Sequence, residues 1–320
     1  MKEAAPCLLP RMKRCAQADG GGKGGPPVEI RHLGGDTWYF PGRVNVGLFR
    51  HGGGAWLVDS GLDDDAGRKI ARHLEEEGTT LRRIVTTHSN ADHCGANAFL
   101  HRRTGCSVAA TAMEATVMEN PTLEPMLLWS AFPFEAIRNK FLQAKASKVD
   151  LIIANSGAFD ESGLEAVPLP GHFLDMIGVR TPDDVLFTAD ALFSGEVIEK
   201  YGIMFVLDVQ GALDTFDRLE ATEARWFVPS HAPATEDIGP LVETNRRGML
   251  RIGEMILDCC TDPSSREFIV AAVAERLGLS MTPSEYVLNS AAISAHLTRL
   301  ARNGALTPAV EEGVLLWRRS

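Results

Sequence analysis

The sequence predicts an α/β fold with a small helical part at its C-terminal end. Between about residues 38 and 231, short apolar runs typical of strands alternate with segments that have helical spacing. Several of these apolar runs end at an aspartate or a histidine. From about residue 264 onward, helical spacing predominates. The 320 residues are enough for a large core and more than one domain.

The first 27 residues are predicted to form a flexible N-terminal segment. Residues 19–27 consist mainly of glycine and proline, a composition typical of linkers. No apolar run approaches the roughly 20 residues of a membrane span, and no signal-peptide core follows the basic N-terminal residues. We therefore expect a cytoplasmic protein without a membrane partner, whose folded part begins near Val28.

The overall composition is that of an ordinary soluble protein, with 45% hydrophobic and 23% charged residues. The formal net charge of −10 disfavours nucleic acid as a partner. The six cysteines have neither the spacing of a disulfide framework nor that of a zinc site, so we expect reduced thiols.

The first half of the chain contains four predicted strands and one helix. Residues 38–40 and 44–49 predict two strands joined by a turn, and residues 55–59 predict a third. A helix is predicted over residues 63–77, where three aspartates occupy the first turn and favour the helix dipole. The next strand, 82–87, leads directly into a run rich in metal-ligand residues.

That run reads His88-Ser89-Asn90-Ala91-Asp92-His93. Two histidines and an aspartate at this spacing are typical of a metal site. The neutral amide of Asn90 is a weak zinc ligand by comparison with imidazole. Four further candidate ligands or supporting residues end other predicted strands: Asp59, His172, Asp190 and His231.

The order of these motifs resembles the metallo-β-lactamase superfamily over roughly residues 28–240. The resemblance includes the signature His-x-His-x-Asp-His, here with Asn90 at its second histidine. It implies an αββα sandwich with a metal site at one edge, within a catalytic domain predicted at residues 28–245.

The resemblance also implies two metal positions that share Asp190. The ligands implied for the first position are His88, the residue at position 90, His172 and Asp190. Those implied for the second position are Asp92, His93, His231 and Asp190. Zinc is the expected ion, with iron or manganese as alternatives. Because of Asn90, one ion, two ions or a site with little metal all stay open.

Two further aspartates lie near these motifs in the sequence. Asp59 is expected to support the site from outside the ligand set, with a cap on the following helix as its alternative role. Asp175 is expected to be a turn residue or to support the site from outside the ligand set. Its alternative role is that of a weak ligand, and the same alternative applies to Asn90. Asp92 and Asp59 are the predicted catalytic residues.

Residues 112–150 are predicted to be a helical insert that either packs on the core or forms a lid over a substrate pocket. The candidate pocket residues are Trp129, Phe132, Phe173 and Tyr201. Specificity is also expected from the loop after Asp190. Residues 246–320 predict helices and a terminal hairpin and resemble a winged-helix module, which is expected to pack on the catalytic domain, contribute to the pocket or mediate a homodimer.

The resemblance implies a metal-dependent hydrolase with a small-molecule substrate. A bound divalent ion lowers the pKa of its water from about 15.7 to near 7, and Asp92 is expected to orient or deprotonate that water. The predicted substrate is a small thioester, lactone or related ester. One alternative is an iron or two-metal enzyme with sulfur or oxygen chemistry or phosphodiester cleavage. A non-catalytic binding or regulatory relative is the other.

Overall fold

The computed structural model describes residues 29–320, and the predicted flexible segment, with Cys7 and Cys15, lies outside these residues. Two β-sheets pack face to face, and helices cover their outer faces. The predicted αββα sandwich is therefore confirmed. The apolar core between the sheets joins strand residues such as Tyr39, Trp56 and Val85 to Ile177 and Phe187 of the opposite sheet.

The larger sheet has seven strands in chain order. They are β1 (Arg31–Gly34), β2 (Thr37–Phe40), β3 (Val46–His51), β4 (Gly54–Val58), β5 (Thr80–Val85), β6 (Ser107–Ala110) and β7 (Leu151–Ile152). The first four strands form an antiparallel meander, and the pairs from β4 to β7 are parallel. The loops after β4 and β5 therefore leave the sheet at the same edge.

The smaller sheet has five strands in the order β12-β11-β10-β9-β8. Their bounds are β8 (Gly157–Ala158), β9 (Glu165–Pro168), β10 (Ile177–Arg180), β11 (Val185–Phe193) and β12 (Trp226–His231). The prediction that a strand ends at Asp190 is wrong, because β11 continues to Phe193 and all nine of its residues are buried. Its pairing with β12 becomes irregular after Phe187, on both sides of Ala189, which has a φ of 49°.

Eight helices precede the C-terminal elements in the described residues. They are α1 (Asp64–Glu76), α2 (Ala91–Cys94), α3 (Asn97–Thr104), α4 (Ala112–Glu119), α5 (Leu123–Trp129), α6 (Gly195–Tyr201), α7 (Val209–Glu220) and α8 (Gly239–Cys259). Helices α1 and α3 cover the larger sheet, while α7 and α8 cover the smaller one. The side chain of Asp63 caps α1 by accepting from the amides of Asp65 and Ala66, so the cap is not Asp59.

The insert predicted at residues 112–150 is only partly helical. It contains α4, α5 and a 3-10 turn at Glu135–Ile137, and the rest is loop. Three of its buried apolar side chains, Leu128, Ile137 and Leu142, pack against Val287 near the C-terminal end of the chain. The insert therefore joins the sandwich to the C-terminal helices.

The C-terminal elements are β13 (Ser264–Ser265), α9 (Arg266–Arg276), α10 (Pro283–Arg302), β14 (Leu306–Glu311) and β15 (Val314–Arg319). The three strands form a sheet in the order β13-β15-β14. The predicted helices and hairpin are present, while the winged-helix assignment stays a prediction. The boundary predicted at residues 245 and 246 falls inside α8, because one apolar core runs from β11 through α8 to α9 and α10.

Two further properties concern the described part of the chain. No helix within residues 29–320 is long and apolar enough to cross a lipid bilayer. The four described cysteines, Cys94, Cys106, Cys259 and Cys260, are free and buried. Their state agrees with the expectation of reduced thiols.

Candidate metal centre

The candidate ligands converge at one edge of the sandwich, where loops from both sheets meet. Backbone hydrogen bonds hold the sheets together there, from Asn45 N to Ser230 O (2.9 Å) and from Ile177 N to Thr87 O (3.1 Å). The loop after β5 lies against the loop after β4, because Ser60 N donates to His93 O over 2.8 Å. Rigid strands therefore position the loop-borne side chains.

Asp190 lies at the centre of the cluster of imidazoles. Its Oδ1 is 3.1 Å from His93 Nε2, and its Oδ2 is 3.2 Å from His231 Nε2. The same Oδ2 is 3.7 Å from His172 Nε2. Asp92 approaches from the more open side, with its Oδ2 3.4 Å from His231 Nε2. One carboxylate thus reaches three histidines, as a shared ligand must.

Two sets of three side chains bring their ligand atoms within 4.8 Å of one another. One set is His88, His93 and Asp190, and the other is Asp92, His93 and His231. His93 belongs to both sets, whereas the resemblance placed it only at the second position. The reason is its proximity to His88, since the two ring centroids are 4.0 Å apart.

The chemistry of these atoms fits a divalent cation. His88 Nε2, His93 Nε2 and Asp190 Oδ1 are buried without a well-aligned hydrogen-bond partner among the described residues. Buried polar atoms are rarely left in this state, and metal ligation is one way to satisfy them. A donor set of neutral imidazoles and carboxylates is the set that zinc prefers when thiolates are absent.

The charges of the cluster also favour a cation. Burial, helped by the charge of His93, lowers the pKa of His88 well below its usual value. Burial acts on His93 too, but the carboxylates of Asp190 and Asp59 outweigh it and hold the pKa of His93 well above its usual value. Likewise, Asp190 overcomes burial and raises the pKa of His231 to about 10. A metal ion would replace the protons that these carboxylates otherwise hold on the histidines.

Asp59 orients the cluster without belonging to it. The residue is 1% exposed and has a φ of 65°, so its side chain turns back beneath the loop after β5. Its Oδ1 accepts from Thr87 N (2.8 Å), and its Oδ2 accepts from Thr87 Oγ1 (2.9 Å) and lies 2.8 Å from His93 Nδ1. The bond to Nδ1 leaves His93 Nε2 directed at the metal centre.

His231 and His172 are held in the same way by backbone carbonyls. Their Nδ1 atoms lie 2.8 Å from Arg43 O and 3.1 Å from Phe205 O, respectively. Gly171 sets the position of His172, because it has a φ of 129° and a Cβ there would lie 2.4 Å from Ala212 N. Each ring therefore turns its Nε2 towards Asp190.

Asn90 occupies the remaining position beside His172. Its Oδ1 is 3.0 Å from His172 Nε2, a separation that two ligands of one ion also have. Its Nδ2 donates to Glu124 Oε1 over 2.8 Å. Burial raises the pKa of Glu124 well above its usual value. The amide thus sits at the expected ligand position, held by a carboxyl group from the insert.

The model of the metallo-beta-lactamase superfamily matches residues 39–231, a range that includes all of the candidate ligands and Asp59. The chain belongs to this superfamily. Its departure from the superfamily signature at Asn90 is therefore a change within a retained site.

Curated relatives match the superfamily part of the chain. A hydroxyacylglutathione hydrolase from Rhizobium meliloti is 27% identical over 136 residues, which are 42% of this chain and 42% of the relative. One from Rhodopseudomonas palustris is 30% identical over 159 residues, which are 48% of this chain and 52% of the relative. The chain thus spans about half the length of these relatives or less. Together with the superfamily they support a metal-dependent hydrolase.

Solved structures of the superfamily share the fold over more of the chain. A beta-lactamase domain protein from Burkholderia ambifaria has a TM-score of 0.69 at 16% identity and covers 92% of this chain and 94% of its own. A metallo-beta-lactamase family protein from Thermus thermophilus has a TM-score of 0.68 at 21% identity, with coverages of 87% and 94%. The shared fold therefore extends beyond residue 231 into the C-terminal elements.

Glu114 is a second buried carboxyl group behind the metal centre, after Glu124, and it connects the loop of Ser89 to the loop of Asp175 by hydrogen bonds. Its Oε2 accepts from Ser89 N (2.8 Å) and Ser89 Oγ (2.6 Å), and its Oε1 accepts from Asp175 N (2.8 Å). The carboxylate of Asp175 itself bonds to Asn155 Nδ2 over 3.1 Å and belongs to neither ligand set. The weak-ligand alternative for Asp175 gains no support from this arrangement.

None of the four predicted pocket residues lines the cavity next to the centre. Trp129, Phe132 and Tyr201 are 43%, 69% and 46% exposed, and Trp129 packs edge-on against Phe134. Phe173 is buried, with its ring centroid 6.2 Å from that of His88. Trp129 and Tyr201 are the last residues of α5 and α6, while Phe132 lies in a loop, and the structure brings none of the three to this cavity.

Proposed function

We propose that the protein is a zinc-dependent hydrolase of small thioesters, lactones or related esters. The observation that carries the proposal is the group of buried imidazole and carboxylate atoms around Asp190, three of which have no well-aligned hydrogen-bond partner among the described residues. The names of the curated relatives support a thioester as the first substrate to test. The acidic net charge of −10 favours a small molecule over nucleic acid.

The residues that would hold zinc are the members of the two sets of three side chains described above, together with His172. Asp92, His93, His231 and Asp190 supply two carboxylates and two imidazoles without any contribution from Asn90. His88 and His172, with Asn90, would complete the other position. When bound, a divalent ion lowers the pKa of a water molecule and polarises an ester carbonyl.

Asp92 is the residue placed to handle a proton. Its side chain is 35% exposed, more than the other carboxylate of the cluster, so substrate and water can reach it. Although burial acts to raise its pKa, the charge of His93 and the hydrogen bond from His231 lower it. An ionised Asp92 can orient an attacking water and accept its proton at Oδ1 or Oδ2. Asp59 is too deeply buried to touch substrate and acts by positioning His93.

Asn90 favours an alternative to a centre with two zinc ions. In this alternative the centre holds one ion tightly, or it prefers a harder ion than zinc. A neutral amide oxygen is a weaker and harder ligand than the imidazole that it replaces. The same residues could then hold iron or manganese. Elemental analysis of the purified protein, with spectroscopy for iron, distinguishes these cases from a zinc centre.

The test is hydrolysis of a panel of thioesters, lactones and simple esters by zinc-loaded protein. We expect turnover to be lost in His231→Ala and retained in His101→Ala. His101 is the matched control. It lies on α3 and its Nδ1 bonds to the backbone oxygen of Cys106, just after that helix, away from the cluster. Equal activity of the two variants would overturn the assignment of the centre, and a wild type inactive on the whole panel would overturn the substrate class.

A further inference from the structure

A cavity lies next to the metal centre, between β11, α6, α7, α8 and the C-terminal helix α10. Its mouth is open to solvent, and the space that it leaves inside is about 30 Å³. His172 and Asp190 form part of its wall, so the cavity is continuous with the metal centre. The remaining wall is mainly apolar and includes Phe193, Ile198, Phe205, Phe216, Met249 and Ile252.

Among the residues that line the cavity, Asp190 is the one with a charged side chain. The polar side chains of Asn245 and Thr215 also line it, and both are already paired. Asn245 Oδ1 accepts from Phe193 N (3.0 Å), and its Nδ2 donates to Phe193 O (2.9 Å) and Leu241 O (2.8 Å). Thr215 Oγ1 donates to Pro170 O over 2.7 Å. These groups support the wall and have little to offer a ligand.

His296 on α10 is the exception. It is 3% exposed, lines the cavity and makes no hydrogen bond or ion pair with any residue of the described chain. Burial and the nearby charge of Arg299 lower its pKa to about 4, so the ring is neutral at physiological pH. A neutral imidazole offers one N–H donor and one nitrogen acceptor. Buried polar groups of this kind are normally paired, so an open one points to a ligand.

We propose that this cavity binds the acyl chain of the ester or thioester substrate, and that His296 forms a hydrogen bond with a hydroxyl or carbonyl group on that chain. This proposal rests on the hydrolase function proposed above. The continuity with Asp190 would place the scissile carbonyl at the metal centre while the chain extends towards α10. The leaving group would face Asp92, which is outside the cavity wall and open to solvent.

The chemistry of the wall selects a neutral polar group on the chain. A carboxylate or ammonium group buried beside His296 would find no opposite charge there and would be strongly disfavoured. A hydroxyl group both donates and accepts, so it can pair with either nitrogen of the neutral ring. A carbonyl group can accept from its N–H. A purely aliphatic chain would leave His296 unpaired.

Binding of product acids to the zinc-loaded full-length chain tests the proposal without relying on turnover. The probes are butanoate, hexanoate and octanoate, each compared by isothermal titration calorimetry with its terminal hydroxy analogue. For the chain length that reaches α10, we expect the hydroxy acid to bind about tenfold more tightly than the plain acid. We expect His296→Phe to abolish this preference.

A second variant blocks the cavity without touching His296. Gly248 on α8 lines the cavity, and a Cβ there would lie 3.5 Å from Ile198 Cγ2, which is an ordinary contact. We expect Gly248→Leu to weaken all of the longer acids about tenfold or more. Glu243→Leu, on the exposed surface of the same helix, is the control and should bind like the wild type.

The outcomes separate this proposal from the hydrolase assignment. If His296→Phe keeps the preference, or if Gly248→Leu binds the longer acids as tightly as the control does, the cavity proposal is wrong even when thioesters are hydrolysed. If wild-type protein prefers the hydroxy acid and both variants respond as expected, the cavity proposal stands even when no thioester is turned over. In that case the hydrolase assignment alone fails.

Discussion

Asn90 Nδ2 donates a hydrogen bond to Glu124 Oε1 over 2.8 Å, and this bond turns the amide oxygen of Asn90 towards His172. His172 donates its Nδ1–H to Phe205 O when neutral, so its Nε2 is an acceptor. Two acceptor atoms 3.0 Å apart repel each other unless a cation or a proton lies between them. The pair therefore has the arrangement of two ligands, fixed from behind by a residue of the insert.

Removing Glu124 should weaken metal binding although Glu124 is not a ligand. In Glu124→Ala, the amide of Asn90 is free to rotate, and supporting residues of this kind typically contribute about 10- to 100-fold in metal affinity. We expect the loss to concern the position at His172, while the set around His231 keeps its affinity. Zinc titration against a chromophoric chelator measures both positions.

The matched controls for this experiment come from the same insert. Glu124→Gln keeps an oxygen that can accept from Asn90 Nδ2, so it should retain most of the affinity. Glu135 lies at an exposed 3-10 turn and, among the described residues, its side chain pairs only with Arg138, so Glu135→Ala should behave as the wild type. Equal affinities in Glu124→Ala and Glu135→Ala would show that Asn90 needs no support.

Restoring a histidine at position 90 should increase the number of tightly held ions. Imidazole is a better zinc ligand than a neutral amide, so Asn90→His should bind a second zinc that survives dialysis. Elemental analysis of dialysed wild type and variant measures the ratio of zinc to protein. An unchanged ratio would mean that the amide oxygen already suffices, or that the imidazole is turned away by Glu124.

Replacing Asp59 by asparagine should lower zinc affinity through His93. Asparagine tolerates the left-handed conformation at this position, so the backbone of the loop is retained while the charge that polarises His93 is lost. We expect a loss of about 10- to 100-fold in affinity. Asp63→Asn, which keeps the helix cap of α1, is the control and should leave the affinity unchanged.

The sequence predicted the sandwich and the meeting of its motifs because strands and strand-end ligands have local signatures. His88, Asp92 and His93 follow an apolar strand directly, and His231 ends one. No such signal identifies Glu114 or Glu124, which lie on short helices and look like ordinary surface acids. Their burial depends on contacts 25 and 34 residues away in sequence, with Ser89 and Asn90.

The cavity could not be predicted from the sequence for the same reason. His296 occupies a position in an amphipathic helix that is typical of a packing residue, and its sequence neighbours include no other ligand type. Only the packing of α10 beside α7 and α8 brings it to the cavity shared with His172. Phe132 is the reverse case, since this aromatic residue suggested a pocket but is exposed and does not line this cavity.

The burial of His296 should make the metal-free protein less stable in mild acid. The pKa of His296 is lowered to about 4 in the folded protein, against an ordinary value of 6.5. Between these two values the unfolded chain binds a proton at this residue and the folded chain does not, so stability falls as the pH decreases through that range. At pH 5 the loss is about 2 kcal/mol relative to neutral pH, from this residue alone.

The variant His296→Phe isolates this contribution, because it removes the titrating ring and keeps a large apolar side chain. Its free energy of unfolding should fall less than that of the wild type between pH 7 and pH 5. Guanidinium chloride titrations of chelator-treated proteins at both pH values measure the difference. The cluster histidines titrate alike in both proteins, so their effect cancels. Parallel loss of stability in wild type and variant would contradict a neutral, buried His296.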